Sequence, residues 1–167
     1  MNKNKISAIT VILILLGFAT LYFNNGAVNQ APNISINTID GERIALSSLK
    51  GRPALVTFWA TDCPSCIKEI PHLKAIHADY AAKDVSIIAI AMKHDRLDHV
   101  IAMTESKKLP YKVALDPTGD AAKAFGDVRL TPTTFLIAPD SSIAMQKLGV
   151  FDEQKMRQRL DQLLDKS

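Results

Sequence analysis

The sequence predicts an α/β sandwich with a mixed β-sheet. Two apolar runs rich in β-forming residues, 54–59 and 85–91, are separated by helical periodicity over 64–82. Two further strand-like runs, 133–138 and 143–150, precede a closing amphipathic helix that begins near residue 153. Short runs that are apolar throughout are typical of strands covered on both faces, so helices should lie on either side of the sheet.

The chain begins with an apparent membrane anchor. Residues 6–23 form 18 consecutive uncharged positions, preceded by Lys3 and Lys5. This length is in the lower range for a spanning helix, and the preceding lysines predict a cytoplasmic N-terminus. The alternative is a removed signal peptide, for which Gly17-Phe18-Ala19 resembles a cleavage site. We expect a cytoplasmic tip and anchor over 1–23, a tether over 24–33 and one domain over 34–167. The anchor would lie in the inner membrane, and the domain would face the extracytoplasmic side or periplasm.

The domain should open with a β-hairpin, because alternating isoleucines flank an Asp40-Gly41 turn. The helix over 64–82 carries Cys66 and Ile70 on its apolar face, and Pro64 suits its first turn. A helix over 95–107 is expected to turn Leu97, Ile101 and Ala102 toward the core. A strand over 111–115, a turn at 116–119 and a short helix over 121–125 should follow, and Asp152 should cap the last helix.

Composition excludes several classes of protein. The chain has 167 residues, is 47% hydrophobic and carries a formal charge of +3, to which Lys3 and Lys5 contribute. A nearly neutral domain argues against nucleic-acid binding. Two cysteines cannot form a scaffold of several disulfides, so the spacing of Cys63 and Cys66 indicates redox chemistry or half of a metal site.

The Cys63-Pro64-Ser65-Cys66 segment joins the end of a predicted central strand to the start of a helix. Free N–H groups and the helix dipole at such a terminus favour the thiolate of Cys63, the form that attacks disulfides. That attack forms a mixed disulfide between Cys63 and the substrate, and Cys66, one helical turn later, is placed to attack Cys63 and release the substrate. A zinc half-site is the alternative, but the sequence has no second cysteine pair and no matching histidine spacing.

These residues carry a family resemblance. The motif Trp59-Ala60-Thr61-x-Cys63-x-x-Cys66-x-x-Glu69-x-Pro71, with Leu130-Thr131-Pro132-Thr133 later in the chain, resembles the membrane-anchored TlpA/ResA-like branch of the thioredoxin superfamily. The resemblance implies a thioredoxin-like fold with an N-terminal β-hairpin and a central strand-helix insertion between residues 85 and 126. It also implies an extracytoplasmic thiol-disulfide oxidoreductase that reduces protein disulfides, with a role in cytochrome c maturation for some members.

The resemblance assigns roles to individual residues. Pro132 matches the family's cis-proline beside the cysteines, and Thr131 would offer backbone hydrogen bonds to an extended substrate. Glu69 matches a carboxylate near the second cysteine that could accept the Cys66 proton; without the family pattern, a solvated helix glutamate is the simpler interpretation. Asp62, Pro64 and Trp59 are further expected substrate-binding residues. Of these, Trp59 would mainly pack beside the site.

Two positions depart from the family pattern. Thr57 stands where thioredoxin has a buried aspartate, which leaves Glu69 as the better candidate base. Asp62 replaces the usual tryptophan before the first cysteine. Its charge disfavours the Cys63 thiolate, so we expect a reductant.

No cofactor or metal is expected, and the expected partners are a protein disulfide substrate and a membrane thiol-disulfide electron donor. Two other functions stay open, a thiol peroxidase and a copper-delivery protein of similar fold. The first conflicts with Ala60, which stands where peroxidases have threonine, and the second with the absence of a histidine after His99.

Overall fold

The computed structural model describes residues 29–165 and contains two sheets. A small antiparallel hairpin is formed by β1 (Ser35–Asn37) and β2 (Arg43–Ala45), with Gly41 at positive φ in its turn. The main sheet has five strands in the order β5-β4-β3-β6-β7. These are β3 (Ala54–Trp59), β4 (Ser86–Ala91), β5 (Lys112–Leu115), β6 (Thr133–Ile137) and β7 (Ile143–Leu148).

Strands β3, β4 and β5 are parallel, whereas β6 and β7 are antiparallel to their neighbours. The helices are α1 (Pro64–Tyr80), α2 (Leu97–Lys107), α3 (Asp120–Ala124) and α4 (Glu153–Leu164). Short 3₁₀ turns lie at Leu46–Leu49 and Ala81–Lys83. This is the mixed-sheet α/β architecture that the sequence predicts, including the N-terminal hairpin. Between residues 85 and 126 the chain forms β4, α2, β5 and α3.

The two faces of the sheet form two apolar cores, as the uninterrupted burial of β3 requires. On one face, Phe58, Phe125 and Phe135 pack edge-on or tilted, with ring centroids 4.8 to 6.1 Å apart. On the other face, Leu55 and Trp59 lie against α1 and α4. Alternation along β3 therefore sends Trp59 and Thr57 to the same side as the cysteine-bearing helix.

The prediction for α2 was wrong about its buried face. Val100 is fully buried, whereas Leu97 is 47% exposed and Ala102 is exposed. Ile101 is only half-buried. The helix thus contacts the core through a narrower stripe than its apolar residues indicate.

The register of the sheet determines where the functional segments lie. Phe58, next to the last residue of β3, pairs with Thr133, the first residue of β6. The segment that follows β3 and the segment that precedes β6 therefore lie at the same end of the strands. No helix within residues 29–165 has the length and apolarity to cross a membrane; the expected anchor at residues 6–23 lies outside the described residues.

Candidate active site at the start of helix α1

The two cysteines lie at the N-terminus of α1. Cys63 is the N-cap residue, Pro64 occupies the first turn, and a disulfide joins Cys63 to Cys66 with a Cα–Cα distance of 5.2 Å. The Cys66 N–H donates to Cys63 Sγ at 3.2 Å. The helix start therefore presents an amide donor to the first sulfur, which is the arrangement that favours a thiolate there.

The two sulfurs differ in exposure. Cys63 is half-buried, and its Sγ lies 3.4 Å from Ser65 Oγ. Cys66 is buried with Ile70 and Leu73 on the inner face of α1, as its helical position predicts. An incoming disulfide can therefore reach Cys63 more easily than Cys66.

Glu69 is the buried carboxylate of the site. Its side chain is 1% exposed, so the solvated-glutamate alternative is wrong. The Phe151 N–H donates to Glu69 Oε1 at 3.2 Å, and the Thr57 hydroxyl lies 3.4 Å from Oε2. These long hydrogen bonds compensate only partly for lost hydration, so burial raises the pKa of Glu69 to about 7.

A chain of hydroxyls connects the central strands to this carboxylate. Thr134 Oγ1 donates to Thr57 Oγ1 at 2.9 Å, which leaves the Thr57 hydroxyl proton for Glu69. Thr57 is the position where thioredoxin has its aspartate, so the carboxylate reaches this buried place from α1 instead of from β3. Thr134 was missed from the sequence because a threonine in a strand has no motif around it.

A small cavity lies between α1 and the strands. Its walls include Cys66, Glu69, Trp59 and Tyr111. Burial and the nearby Glu69 carboxylate raise the pKa of the Tyr111 phenol. Among residues 29–165, the Trp59 indole N–H is a buried side-chain donor with no hydrogen-bond partner. Trp59 is 4% exposed and packs behind the site, and its part in substrate binding stays a prediction.

Asp62 lies at the surface beside Cys63, with 77% of its side chain exposed, and Pro64 is exposed as well. His94 Nε2 lies 3.6 Å from Asp62 Oδ1. His94 was not assigned to the site from the sequence, because Asp62 and His94 are 32 residues apart and lie in two different loops. Within residues 29–165, no group of three or more metal-ligating side chains is placed to hold a metal ion.

The Thr131-Pro132 segment precedes β6 and has a cis peptide bond, as the family resemblance predicts. The Gly149 N–H donates to the Pro132 carbonyl at 2.8 Å, which fixes the segment against the end of β7. Thr131 is half-buried, and its neighbour Leu130 is 62% exposed. The pairing of Phe58 with Thr133 places this segment at the end of the strands where the cysteines lie. Substrate contact by Thr131 and Pro132 stays a prediction.

Comparisons with known proteins agree with this geometry. A family model described as Redoxin matches residues 27–164. Thiol-disulfide oxidoreductase ResA of Bacillus cereus is 29% identical over 177 residues, covering 99% of this chain and 98% of the relative. ResA of Bacillus anthracis is 31% identical over 160 residues, covering 89% of this chain and 91% of the relative.

A solved structure has the same fold. The thiol:disulfide interchange protein of the thioredoxin family from Chlorobium tepidum superposes with a TM-score of 0.74 and 26% sequence identity. The match covers 81% of this chain and 96% of the other. The chain therefore has a thioredoxin-like α/β fold with a mixed sheet.

Proposed function

Because the chain belongs to the redoxin family, as a ResA-like thiol-disulfide oxidoreductase, we propose that it reduces protein disulfides outside the cytoplasm through Cys63 and Cys66. The observation that carries this proposal is the unequal exposure of the two sulfurs. Cys63 is half-exposed at a helix N-terminus, and Cys66 is buried directly behind it. One sulfur is thus accessible to a protein disulfide, while the other reacts only within the molecule.

The reaction consists of two thiol-disulfide exchanges. The Cys63 thiolate attacks one sulfur of the substrate disulfide, a mixed disulfide forms, and the other substrate sulfur leaves as a thiolate. The Cys66 thiolate then attacks Cys63 Sγ, which forms the Cys63–Cys66 disulfide and releases the second substrate sulfur. Two electrons pass to the substrate, and its two thiolates take up two protons. A thiol donor in the membrane would return the enzyme to the dithiol.

Glu69 is proposed as the group that takes the Cys66 proton. Both side chains line the same enclosed cavity, and a carboxyl with a pKa of about 7 exchanges protons readily near neutral pH. Hydration is excluded there, so a base supplied by the fold would replace water as the proton acceptor. The hydroxyl of Thr57 would support the ionised form of Glu69.

The reducing direction is supported by charge. Asp62 places an exposed carboxylate beside the attacking sulfur, and the buried Glu69, when ionised, places a second negative charge in the cavity that Cys66 also lines. Both disfavour thiolates and therefore the reduced form, so the dithiol donates its electrons more readily. We expect a reduction potential nearer to that of thioredoxin, about −270 mV, than to that of DsbA, about −120 mV.

The membrane location and the substrate class are further parts of the proposal. Residues 6–23 would anchor the chain in the inner membrane, with the domain on the extracytoplasmic side. We propose the Cys-x-x-Cys-His segment of an apocytochrome c as the substrate, since its two cysteines must be reduced before they bind haem. Support for this substrate comes from the family resemblance.

A defined peptide substrate tests the proposal. Reduced wild-type protein should convert an oxidised Cys-x-x-Cys-His peptide to its dithiol and become a disulfide itself. Cys66→Ser should stop at a mixed disulfide between peptide and Cys63, seen by mass spectrometry and cleaved by dithiothreitol. Cys63→Ser is the matched control and should do neither. Equal trapping by the two single variants, or no trapping by Cys66→Ser, would contradict the assigned roles.

A further inference from the structure

The short segment that carries Cys63 is held from the side by the loop that follows β4. Asp95 accepts two hydrogen bonds from Thr61, from the backbone N–H to Oδ2 at 2.7 Å and from the hydroxyl to Oδ1 at 2.7 Å. Two residues after Thr61, the Cys63 N–H donates to the Ala60 carbonyl at 3.3 Å, which closes a turn over residues 60–63. The residue fixed by Asp95 therefore lies inside the turn that places Cys63.

The loop that supplies Asp95 is itself fixed. The Asp95 N–H donates to the Met92 carbonyl at 2.9 Å, and the Met92 N–H donates to the Trp59 carbonyl at 3.0 Å. The Arg96 N–H donates to Asp95 Oδ1 at 3.0 Å. Both carboxylate oxygens are thus used, and hydrogen bonds to an ionised acceptor at 2.7 Å are among the stronger ones in proteins.

We propose that Asp95 is a positioning residue for Cys63. Its two hydrogen bonds to Thr61 hold the turn over residues 60–63 so that Cys63 Sγ stays at the helix start, 3.2 Å from the Cys66 N–H. That contact favours the thiolate. Asp95 does not touch the reacting atoms, and the inference rests on the proposed role of Cys63 as the attacking thiol.

The charge of Asp95 acts in the opposite direction to its geometry. As a carboxylate near Cys63 it disfavours the thiolate, as does Asp62, whereas His94 offsets Asp62 when it is protonated. Arg96 is occupied by Asp98 at 2.9 Å, and His99 lies with Thr61 and Asp62 along the same shallow groove. The hydrogen bonds of Asp95 and its charge therefore have opposite effects on the Cys63 thiolate. They can be separated only by a substitution that keeps the hydrogen bonds to Thr61 and removes the charge.

Asparagine makes that separation. Its amide oxygen can accept the Thr61 N–H, and its NH₂ can donate to the Thr61 hydroxyl oxygen, so Asp95→Asn keeps both hydrogen bonds to Thr61, loses the one from the Arg96 N–H and removes the charge. Asp95→Ala removes both. Thr61→Val keeps the backbone hydrogen bond and the charge but loses the hydroxyl. Asp98→Asn is the matched control, because it removes a nearby exposed carboxylate that pairs with Arg96.

The experiment measures how fast iodoacetamide alkylates Cys63 in the reduced, folded full-length chain as a function of pH, with the labelled cysteine identified by mass spectrometry. For Asp95→Ala we expect the midpoint of the alkylation profile to rise by about 0.5 pH unit, which is about a three-fold slower reaction at neutral pH. Asp95→Asn should remain at or slightly below the wild-type midpoint, Thr61→Val should rise by less than Asp95→Ala, and Asp98→Asn should not change.

A merely structural Asp95 would lower thermal stability without moving this profile, and an unmoved midpoint in Asp95→Ala would overturn the inference. An equal rise in Asp95→Asn and Asp95→Ala would overturn it as well. If Asp95→Ala does not fold, Thr61→Val is the deciding variant, and an unchanged alkylation midpoint in Thr61→Val would overturn the inference. Labelling of Cys66 before Cys63 in the wild type would instead refute the proposed role of Cys63, which keeps the two failures distinct.

Discussion

Glu69 makes the stability of the fold depend on pH. Its pKa is raised from about 4.5 to about 7 in the folded chain, chiefly by burial. Below pH 4.5 the carboxyl is protonated in both the folded and the unfolded state, and above pH 7 it is ionised in both. Between these values the folded chain binds the proton more tightly, so the free energy of unfolding falls as the pH rises.

We predict that Glu69→Gln removes this dependence. Relative to Glu69→Gln, the wild type should lose about 3 kcal/mol of unfolding free energy between pH 4.5 and pH 8, since one pKa unit corresponds to about 1.4 kcal/mol. Urea denaturation of the oxidised proteins at several pH values measures this. Glu105→Gln, which alters an exposed glutamate of α2, is the control and should follow the wild type. Parallel pH profiles for wild type and Glu69→Gln would show that the carboxyl ionises normally.

At Asp62, we predict that substitution by asparagine makes the protein more oxidising. Removal of the charge beside Cys63 favours the thiolate and so stabilises the reduced form. Because Asp62 is 77% exposed, the interaction is screened by water, and the potential should rise by only about 20 mV or less. Equilibration with a dithiol redox buffer measures the potential, and the difference should shrink at high salt. An asparagine variant more reducing than the wild type would reverse the argument for a reductant.

At the scale of elements, local pattern predicted most of the fold. The apolar runs over 54–59, 85–91 and 133–138 became the largely buried strands β3, β4 and β6, whereas the run over 143–150 became β7, which is half-buried to exposed. The helical spacing of Cys66, Ile70 and Leu73 predicted the inner face of α1. For α2 the pattern was not sufficient, because its apolar residues surround most of the helix. The choice of Val100 over Leu97 depends on how the helix packs against the core, which is a property of the tertiary structure.

The parts of the site that the sequence did not reveal are contacts between distant segments. Asp95 and Thr61 are 34 residues apart, and Phe151 lies 82 residues after Glu69. Such pairs have no periodicity and no motif. The family resemblance predicted Glu69 and Pro132 because both belong to a recurrent motif, whereas Asp95 and His94 lie in a loop whose path is set only by the assembled sheet.

Helix α4 gives a prediction at this scale. Asp152 is its N-cap, and the carboxylate accepts the Lys155 N–H at 2.9 Å. Asp152→Ala leaves that N–H without its cap and should lower the free energy of unfolding by about 1 kcal/mol. Asp165→Ala, at the other end of the helix, is the matched control and should be neutral or slightly stabilising, because a negative charge is unfavourable at a helix C-terminus. Urea denaturation measures both, and equal losses would contradict the capping role.

At the scale of the molecule, the cysteines and residues 29–31, where the described chain begins, lie at opposite ends of the strands of the main sheet. Asn29 accepts the Ile143 N–H, and the Ala31 N–H donates to Ser141, so the start of the described chain joins the turn between β6 and β7. That turn lies beyond Ile137, which pairs with Ala54 at the start of β3. Cys63 follows the other end of β3. The start of the described chain is therefore far from the reactive sulfur, and the same contacts cover the start of edge strand β7.

This arrangement gives a prediction about topology. If residues 6–23 anchor the chain with Lys3 and Lys5 in the cytoplasm, Cys63 lies on the outer side of the membrane. In intact cells, a membrane-impermeant maleimide should label the Cys66→Ser variant at Cys63 as completely as in lysed cells, and the protein should sediment with membranes. The variant that lacks both cysteines controls for labelling elsewhere, and replacement of residues 1–23 by a cleavable signal should release the domain. Labelling only after lysis would contradict the orientation, because an extracytoplasmic thiol needs no disruption of the bilayer to react.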